Sequence, residues 1–133
     1  MKLIMKYDMK RISDKVSKFV TLGLVSVARI HYLHLTTNSY PRHMALDEFY
    51  KEFPDGYLDR VAESALANTL TLTYTEPQLS NMDALEVLQG LYNEGVELLE
   101  LLEGKREFKG TVNCIEDSLE FIKLVIYKVK RFN

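Results

Sequence analysis

This sequence has little cysteine, a small net charge and few long apolar runs, and each of these features excludes a class of protein. A single cysteine, Cys114, excludes an intrachain disulfide and a cysteine zinc cage, so a reducing compartment is expected. The formal net charge of −2 is not that of a strongly basic nucleic-acid-binding protein. The opening residues, MKLIMKYDMKR, alternate charged with apolar side chains, which predicts neither a signal peptide nor a membrane span. We therefore expect a cytoplasmic protein.

Short catalytic motifs are also missing. The chain has no glycine-rich phosphate loop, no G-x-S-x-G elbow, and neither CxxC nor HExxH. Cys114 stands beside Ile115 in a helical apolar stripe, where a small buried hydrophobe is expected rather than a nucleophile. The eight tyrosines are interpreted as packing residues, without a chemical role.

What the sequence does contain is amphipathic helices. Its 133 residues, 47% of them hydrophobic and 27% charged, suit one globular domain covering residues 1–133. Apolar residues recur with helical spacing in four segments, which begin near residues 13, 41, 82 and 112. No repeat and no convincing strand interrupts them. The predicted fold is an all-α four-helix bundle, preceded by a basic N-terminal arm over residues 1–12.

The connections between the four helices can also be predicted. Asn38 and Ser39 end the first helix, and Pro41 suits the first turn of the second, so the two form a tight hairpin. Pro54 and Gly56 predict a kink or bulge near Phe53. Residues 70–80 form an extended linker that spans about 36 Å, enough for a crossover between parallel helices. Ser13 is predicted to cap the first helix, and Ser80 with Asp83 to form a capping box at the start of the third. Gly104 is predicted to end the third helix, and the fourth helix is predicted to start after Thr111.

Candidate metal ligands cluster around the hairpin. All three histidines fall within thirteen residues, and antiparallel pairing about residues 38–39 places His34 opposite His43 and His31 opposite Asp47. His43 and Asp47 are four residues apart, on one helical face. The alternative is that these histidines are ordinary hydrogen-bonded residues. A His/His/Asp cluster is nevertheless available within one chain.

A second carboxylate pair lies further along the same helix. Asp59 and Glu63 are four residues apart and flank apolar positions, so they could face a bundle interior; the alternative is that they face water, as lone acids on a helix usually do. Imidazole and carboxylate ligands suit iron or manganese, with zinc as an alternative. However, sixteen residues separate His43 from Asp59, which corresponds to about 24 Å of helix.

One chain therefore cannot bring both pairs to one metal, and a two-fold dimer about Phe53 is predicted to do so. Sixteen α-helical steps turn the second pair about 160° from the first, whereas fifteen steps leave about 60°. A one-residue bulge at residues 54–56 would restore a common face.

The run from His34 to Tyr50, HLTTNSYPRHMALDEFY, together with Asp59-Arg-Val-Ala-Glu63, resembles the signature of the Dps miniferritins of the ferritin-like superfamily. It also resembles small phage-encoded ferritin-like proteins that share the His-x-x-x-x-Ser-Tyr-x-x-His-x-Ala-Leu pattern. The resemblance implies a ferroxidase-type iron site at a two-fold interface. It implies His34, His43 and Asp47 from one subunit, and Asp59 and Glu63 from the other.

Three functions follow from these observations. The first is a Dps-like iron-binding homodimer or larger homo-oligomer that oxidises Fe(II). The second is a non-catalytic helical interaction module, such as a phage accessory protein with a degenerate metal site. The third is DNA protection through the basic arm, whose charged residues are Lys2, Lys6, Lys10 and Arg11.

Overall fold

The computed structural model describes residues 7–131, which are helical apart from their connections and contain no β-strand. The α-helices are α1 (Met9–Thr36), α2 (Tyr40–Phe53), α3 (Asp59–Ala67), α4 (Ala84–Leu102) and α5 (Lys109–Arg131). A π-helical turn, Pro54–Leu58, joins α2 to α3, and a 3₁₀ turn, Arg106–Phe108, precedes α5. Since α2, the π turn and α3 form one continuous helix, the molecule is the predicted four-helix bundle.

The π turn confirms the bulge predicted at Pro54 and Gly56. Its extra residue is accommodated by a wider turn, in which the backbone N–H of Asp59 donates to the carbonyl of Pro54. A layer of aromatic rings supports the turn from the core side. The rings of Tyr57 and Phe121 stack with their centroids 4.5 Å apart, and Phe53 lies beside both. Packing against α5 therefore holds the bulge in place.

The α1–α2 hairpin closes as its sequence predicts. The Ser39 hydroxyl caps α2 by accepting a hydrogen bond from the backbone N–H of Arg42, and Pro41 occupies the first turn. Other boundaries differ from the prediction. Asp8 rather than Ser13 caps α1, which moves residues 9–12 from the expected arm into the helix. The capping box of α4 joins Asp83 to Glu86 and does not use Ser80.

The basic arm lies partly outside the described residues, which begin at Tyr7. Lys2 and Lys6 are therefore not placed. Lys10 lies in the first turn of α1, where its ammonium is 2.8 Å from the Asp14 carboxylate. At least this cation of the predicted DNA-binding set already has an acidic partner.

Each helix packs against two neighbours. The α1 helix packs against α2 and α4, and α5 packs against α4 and against the long helix formed by α2, the π turn and α3. Both the long helix and α4 run antiparallel to α1. They are therefore parallel to each other, as the crossover prediction requires, but they occupy opposite corners of the bundle rather than adjacent ones.

The crossover, residues 68–83, runs along α1 in the same direction as that helix. The hydroxyls of Ser13 and Ser17 accept hydrogen bonds from the backbone N–H groups of Thr71 and Thr73. At the far end, the Arg29 side chain donates to the carbonyl of Met82. The crossover thus follows one side of α1 from Ser13 to Arg29, while Leu24 and Leu35 remain exposed.

By length and composition, α1 could also cross a membrane. Buried core helices of soluble proteins meet the same criterion. In this bundle α1 contributes fully buried residues, including Val16, Phe19 and Ile30, to the core.

Gly95 lies in α4 where the helix packs tightly against Leu119 and Phe19, and it provides a stability test. An added Cβ would lie 2.5 Å from Leu119 Cδ2 and 3.0 Å from Phe19 Cε1, whereas at Gly90 in the same helix it would meet nothing within 4 Å. We expect Gly90→Ala to raise the free energy of unfolding by about 0.5–1 kcal/mol through helix propensity. The free energy of unfolding of Gly95→Ala should be about 1–3 kcal/mol lower than that of Gly90→Ala, because the added methyl group overpacks the core. Equal urea midpoints for the two variants would contradict the close packing.

Candidate metal half-site

The first three predicted ligands lie together at the α1–α2 end of the bundle. His34 projects from the last turns of α1, and His43 and Asp47 lie one turn apart on α2. The His34 and His43 rings stack with centroids 3.6 Å apart. His34 Nε2 lies 3.9 Å from Asp47 Oδ1. The hairpin therefore brings the predicted His/His/Asp cluster together within one subunit.

Reciprocal hydrogen bonds fix both imidazole rings. His34 Nδ1 lies 2.8 Å from the carbonyl oxygen of His43, and His43 Nδ1 lies 2.8 Å from the carbonyl oxygen of His34. A carbonyl oxygen can only accept, so each Nδ1 carries the ring's proton and donates it. In a neutral imidazole the remaining nitrogen, Nε2, then presents its lone pair. A backbone carbonyl holding the opposite ring nitrogen is the usual support of a metal-binding histidine.

One pair of donor atoms in the cluster is close enough to share a divalent cation. Metal bonds to imidazole nitrogen and carboxylate oxygen are each about 2.0–2.2 Å long, so two donors about 4 Å apart can share one ion. The 3.9 Å separation of His34 Nε2 and Asp47 Oδ1 has this span. Within residues 7–131, however, no group of three or more His, Cys, Asp or Glu side chains of one subunit is arranged to hold a metal ion. We call His34, His43 and Asp47 the candidate half-site.

Asp59 and Glu63 lie on a different stretch of the long helix and are exposed. The expectation that they face the bundle interior is wrong. Val61 and Ala65 take the interior positions of α3, and the two acids flank them on the solvent side. In one subunit these carboxylates do not approach the histidines, as the distance along the helix already implied.

His31 and Tyr50 join the half-site in a way the sequence reasoning missed. His31, expected opposite Asp47, instead stacks on Tyr50 with centroids 3.9 Å apart and the rings 7° from parallel. The Tyr50 hydroxyl hydrogen-bonds to the Asp47 carboxylate. Spacing could have indicated both residues, because His31 lies three residues before His34, and Tyr50 lies three residues after Asp47. His34 is buried, whereas His31 is exposed at the same surface.

Lys51 sets the electrostatics of the half-site. Its ammonium lies 3.1 Å from Asp47 Oδ1. Hydrogen bonding from Lys51 lowers the pKa of Asp47 below its ordinary value of 3.8, and the hydrogen bond from Tyr50 adds to this effect, while partial desolvation opposes it. The carboxylate is therefore ionised at neutral pH and paired with the Lys51 ammonium.

The lowered pKa of Asp47 gives a testable pH dependence. Because the folded-state value is depressed, ionised Asp47 contributes stability above pH 3.8, and this contribution is lost as the pH falls through the folded-state pKa. We expect the carboxyl carbon of Asp47 to titrate below pH 3.8 in an NMR titration of the metal-free protein. In Lys51→Met the midpoint should rise. An unchanged midpoint would contradict the assigned cause.

The architecture and the site define the class of protein as an all-helical bundle with a cluster of histidine and carboxylate side chains on its α1–α2 hairpin. Residues 34–129 match a family model described as a family of unknown function, DUF5856, and the chain belongs to that family. The match begins at His34 and includes all five predicted metal ligands. Neither a curated protein nor a solved structure matches the chain.

Proposed function

We propose that this protein is a ferritin-like, Dps-like metal-binding protein that works in the cytoplasm as a homodimer or larger homo-oligomer. The metal is iron, with manganese and zinc as alternatives, and the chemistry is oxidation of Fe(II) at a two-fold subunit interface. The observation that carries the proposal is the π turn at Pro54–Leu58. The turn lies between the two pairs of proposed ligands. One extra residue must be absorbed there if both pairs are to lie on the same face of the long helix.

The π turn supports the proposal through its effect on helix faces. Without it, about 100° of rotation per residue would turn Asp59 and Glu63 away from His43 and Asp47. With one residue absorbed, the four side chains fall within an arc of about 100° on the long helix. The solvent exposure of Asp59 and Glu63 agrees with this placement, because an interface ligand must lie on the surface of the separate subunit.

The bundle topology also supports a ferritin-like protein. Ferritin-like folds are four-helix bundles with one long crossover connection. This chain has a tight hairpin, one crossover over residues 68–83, and a second tight connection before α5. The crossover contains no helix of its own.

A second copy is needed because His43 and Glu63 are about 28 Å apart along one helix. Antiparallel pairing about Phe53 brings residue 43 level with residue 63 of the second copy, and residue 47 level with residue 59. The same pairing brings exposed Tyr40 level with exposed Leu66. Apolar contacts at the ends of the interface therefore accompany the carboxylates, which supports self-association.

The ligands have distinct roles in this proposal. His34, His43 and Asp47 hold the metal from one subunit, with the histidine rings oriented by the reciprocal backbone bonds. Asp59 and Glu63 of the second copy complete the site and supply negative charge. Fe(II) is the substrate of the oxidation, in which each ion gives one electron to dioxygen or peroxide. The buried His34 ring excludes water from one side of the site.

The test is to measure metal content, Fe(II) oxidation and solution mass of the purified protein. Bound iron and oxidation in a dimer or larger assembly are expected. Glu63→Ala should lose both, whereas Glu116→Ala, which removes an exposed acid from α5, should keep both. Iron binding that survives Glu63→Ala would exclude the shared site.

A second candidate function is a non-catalytic interaction module, such as a phage accessory protein with a degenerate metal site. The observation that favours it is that both histidines already make structural hydrogen bonds across the hairpin. This alternative predicts a stable dimer or heterocomplex that contains no metal and does not oxidise Fe(II). The same three measurements therefore distinguish the two functions.

A further inference from the structure

Lys51 occupies the position on Asp47 that a metal ion would need. Its ammonium lies 3.1 Å from Asp47 Oδ1, the same oxygen that faces His34 Nε2 at 3.9 Å. Lys51 follows Asp47 by four residues, so one helical turn places the cation beside the carboxylate. The half-site of a single subunit therefore already contains a positive charge.

Lys51 also borders an acidic groove beside the π turn. The groove has a volume of about 640 Å³ and lies between the π turn and α5. Two cationic side chains and four carboxylates line the groove. The carboxylates belong to Glu52, Asp55, Asp117 and Glu120. One of the two cations, Arg60, is 3.5 Å from Asp117, and the other is Lys51 itself. A divalent cation attracted to this groove meets Lys51 next to Asp47.

The two-fold pairing gives the lysine a second partner. The register that sets residue 47 level with residue 59 of the second copy also sets Lys51 level with Asp55. Asp55 is exposed and lies in the π turn. In the assembled pair, the ammonium can therefore leave its own Asp47 and remain beside a carboxylate.

We propose that Lys51 is an internal counter-ion of the metal half-site, which a divalent cation displaces from Asp47 and which Asp55 of the second copy then receives. This inference rests on the proposed function, because it assumes the shared site. It makes metal binding depend on subunit pairing through one charged side chain, and it identifies Lys51 as a positioning residue rather than a ligand.

The first test compares Lys51→Met with Lys123→Met by calorimetric titration with Mn²⁺. The two lysine side chains are equally exposed, at 62%, and each has a helical acidic partner, so they form a matched pair. Removing the competing charge at Lys51 should tighten Mn²⁺ binding by roughly 1.5-fold to fivefold, in the range of an exposed ion pair. Lys123→Met should bind as the wild type does.

The second test uses Asp55→Asn alone and combined with Lys51→Met. Asp55→Asn should weaken Mn²⁺ binding by roughly twofold to fivefold, because the displaced ammonium loses its acceptor. In the Lys51→Met background the same change should have a clearly smaller effect, because only the general attraction of the groove for cations is then weakened. An effect of Asp55→Asn that is equal in both backgrounds would show that Asp55 acts independently of Lys51.

The outcomes separate this inference from the proposed function. If the wild type binds Mn²⁺ through Glu63 but Lys51→Met binds no more tightly, the counter-ion role is wrong and the shared site stands. If Lys51→Met binds Mn²⁺ where the wild type does not, the counter-ion role is supported in its strongest form. If neither protein binds Mn²⁺, both ideas fail.

Discussion

Deleting Gly56 should leave the protein folded and the proposed metal site intact. A π turn accommodates one residue more than an α-helix, so removing that residue converts Pro54–Leu58 into an ordinary helical turn. The core faces on both sides of the turn then keep their orientation, and Asp59 and Glu63 keep theirs. Gly56 is exposed, and even an added Cβ there would meet nothing within 4 Å. The deletion therefore removes no packed side chain. We expect a change in the free energy of unfolding of less than about 1–2 kcal/mol.

The matched control is deletion of Gly90. This glycine is also exposed, and an added Cβ there would also meet nothing within 4 Å, but α4 contains no π turn. Its loss rotates one half of α4 by about 100° and removes Leu91 and Leu98 from the core. The cost should exceed about 4–5 kcal/mol, as expected when several buried side chains are displaced. Circular dichroism during urea unfolding measures both variants, and equal stability of the two would refute the role given to the π turn.

Mixing two inactive half-site variants should restore metal binding. One variant carries His43→Ala and Asp47→Ala, and the other carries Asp59→Ala and Glu63→Ala. Each variant lacks direct ligands of the proposed site. Its affinity for the metal should therefore fall by more than the roughly 10- to 100-fold that is typical when an outer-shell partner is lost. After subunit exchange, a mixed dimer has one intact site, since each copy supplies the half that the other lacks. Random exchange should give about a quarter of the wild-type number of sites.

This complementation distinguishes a shared site from one within a single subunit. A single-subunit site at His34, His43 and Asp47 would predict that Asp59→Ala with Glu63→Ala binds metal normally without mixing. Failure to recover any binding, with subunit exchange verified by mass spectrometry of labelled protein, would exclude the two-fold register. A mixture of Glu116→Ala with the wild type provides the control for exchange itself.

The bundle was predictable because the helical periodicity of apolar residues is strong and the stop and cap residues are local. Ser39 and Pro41 define the start of α2, and Gly104, whose φ of 77° suits glycine, lies just beyond the end of α4. The π turn was predictable for the same reason, since Pro54 and Gly56 interrupt an otherwise regular pattern. Asp8 was missed as the cap of α1 because Ser13 is an equally good capping residue by type.

The details of the site were less predictable because they depend on contacts across the hairpin. Antiparallel spacing gave the pairing of His34 with His43, which the reciprocal bonds confirm. It could not give the rotation of His31 onto Tyr50, because ring stacking depends on side-chain rotamers. The exposure of Asp59 and Glu63 depends on which side of α3 faces α1 and α5, and this follows from the π turn rather than from local sequence.

The path of the crossover along α1 limits how copies of the protein can associate. It contacts α1 through Ser13, Ser17 and Arg29, while the exposed apolar residues Leu24 and Leu35 lie outside these contacts. Two copies that meet through an isologous contact bury the same patch on both partners, so such an assembly closes. We therefore expect that any association of copies through α1 would use this uncovered surface.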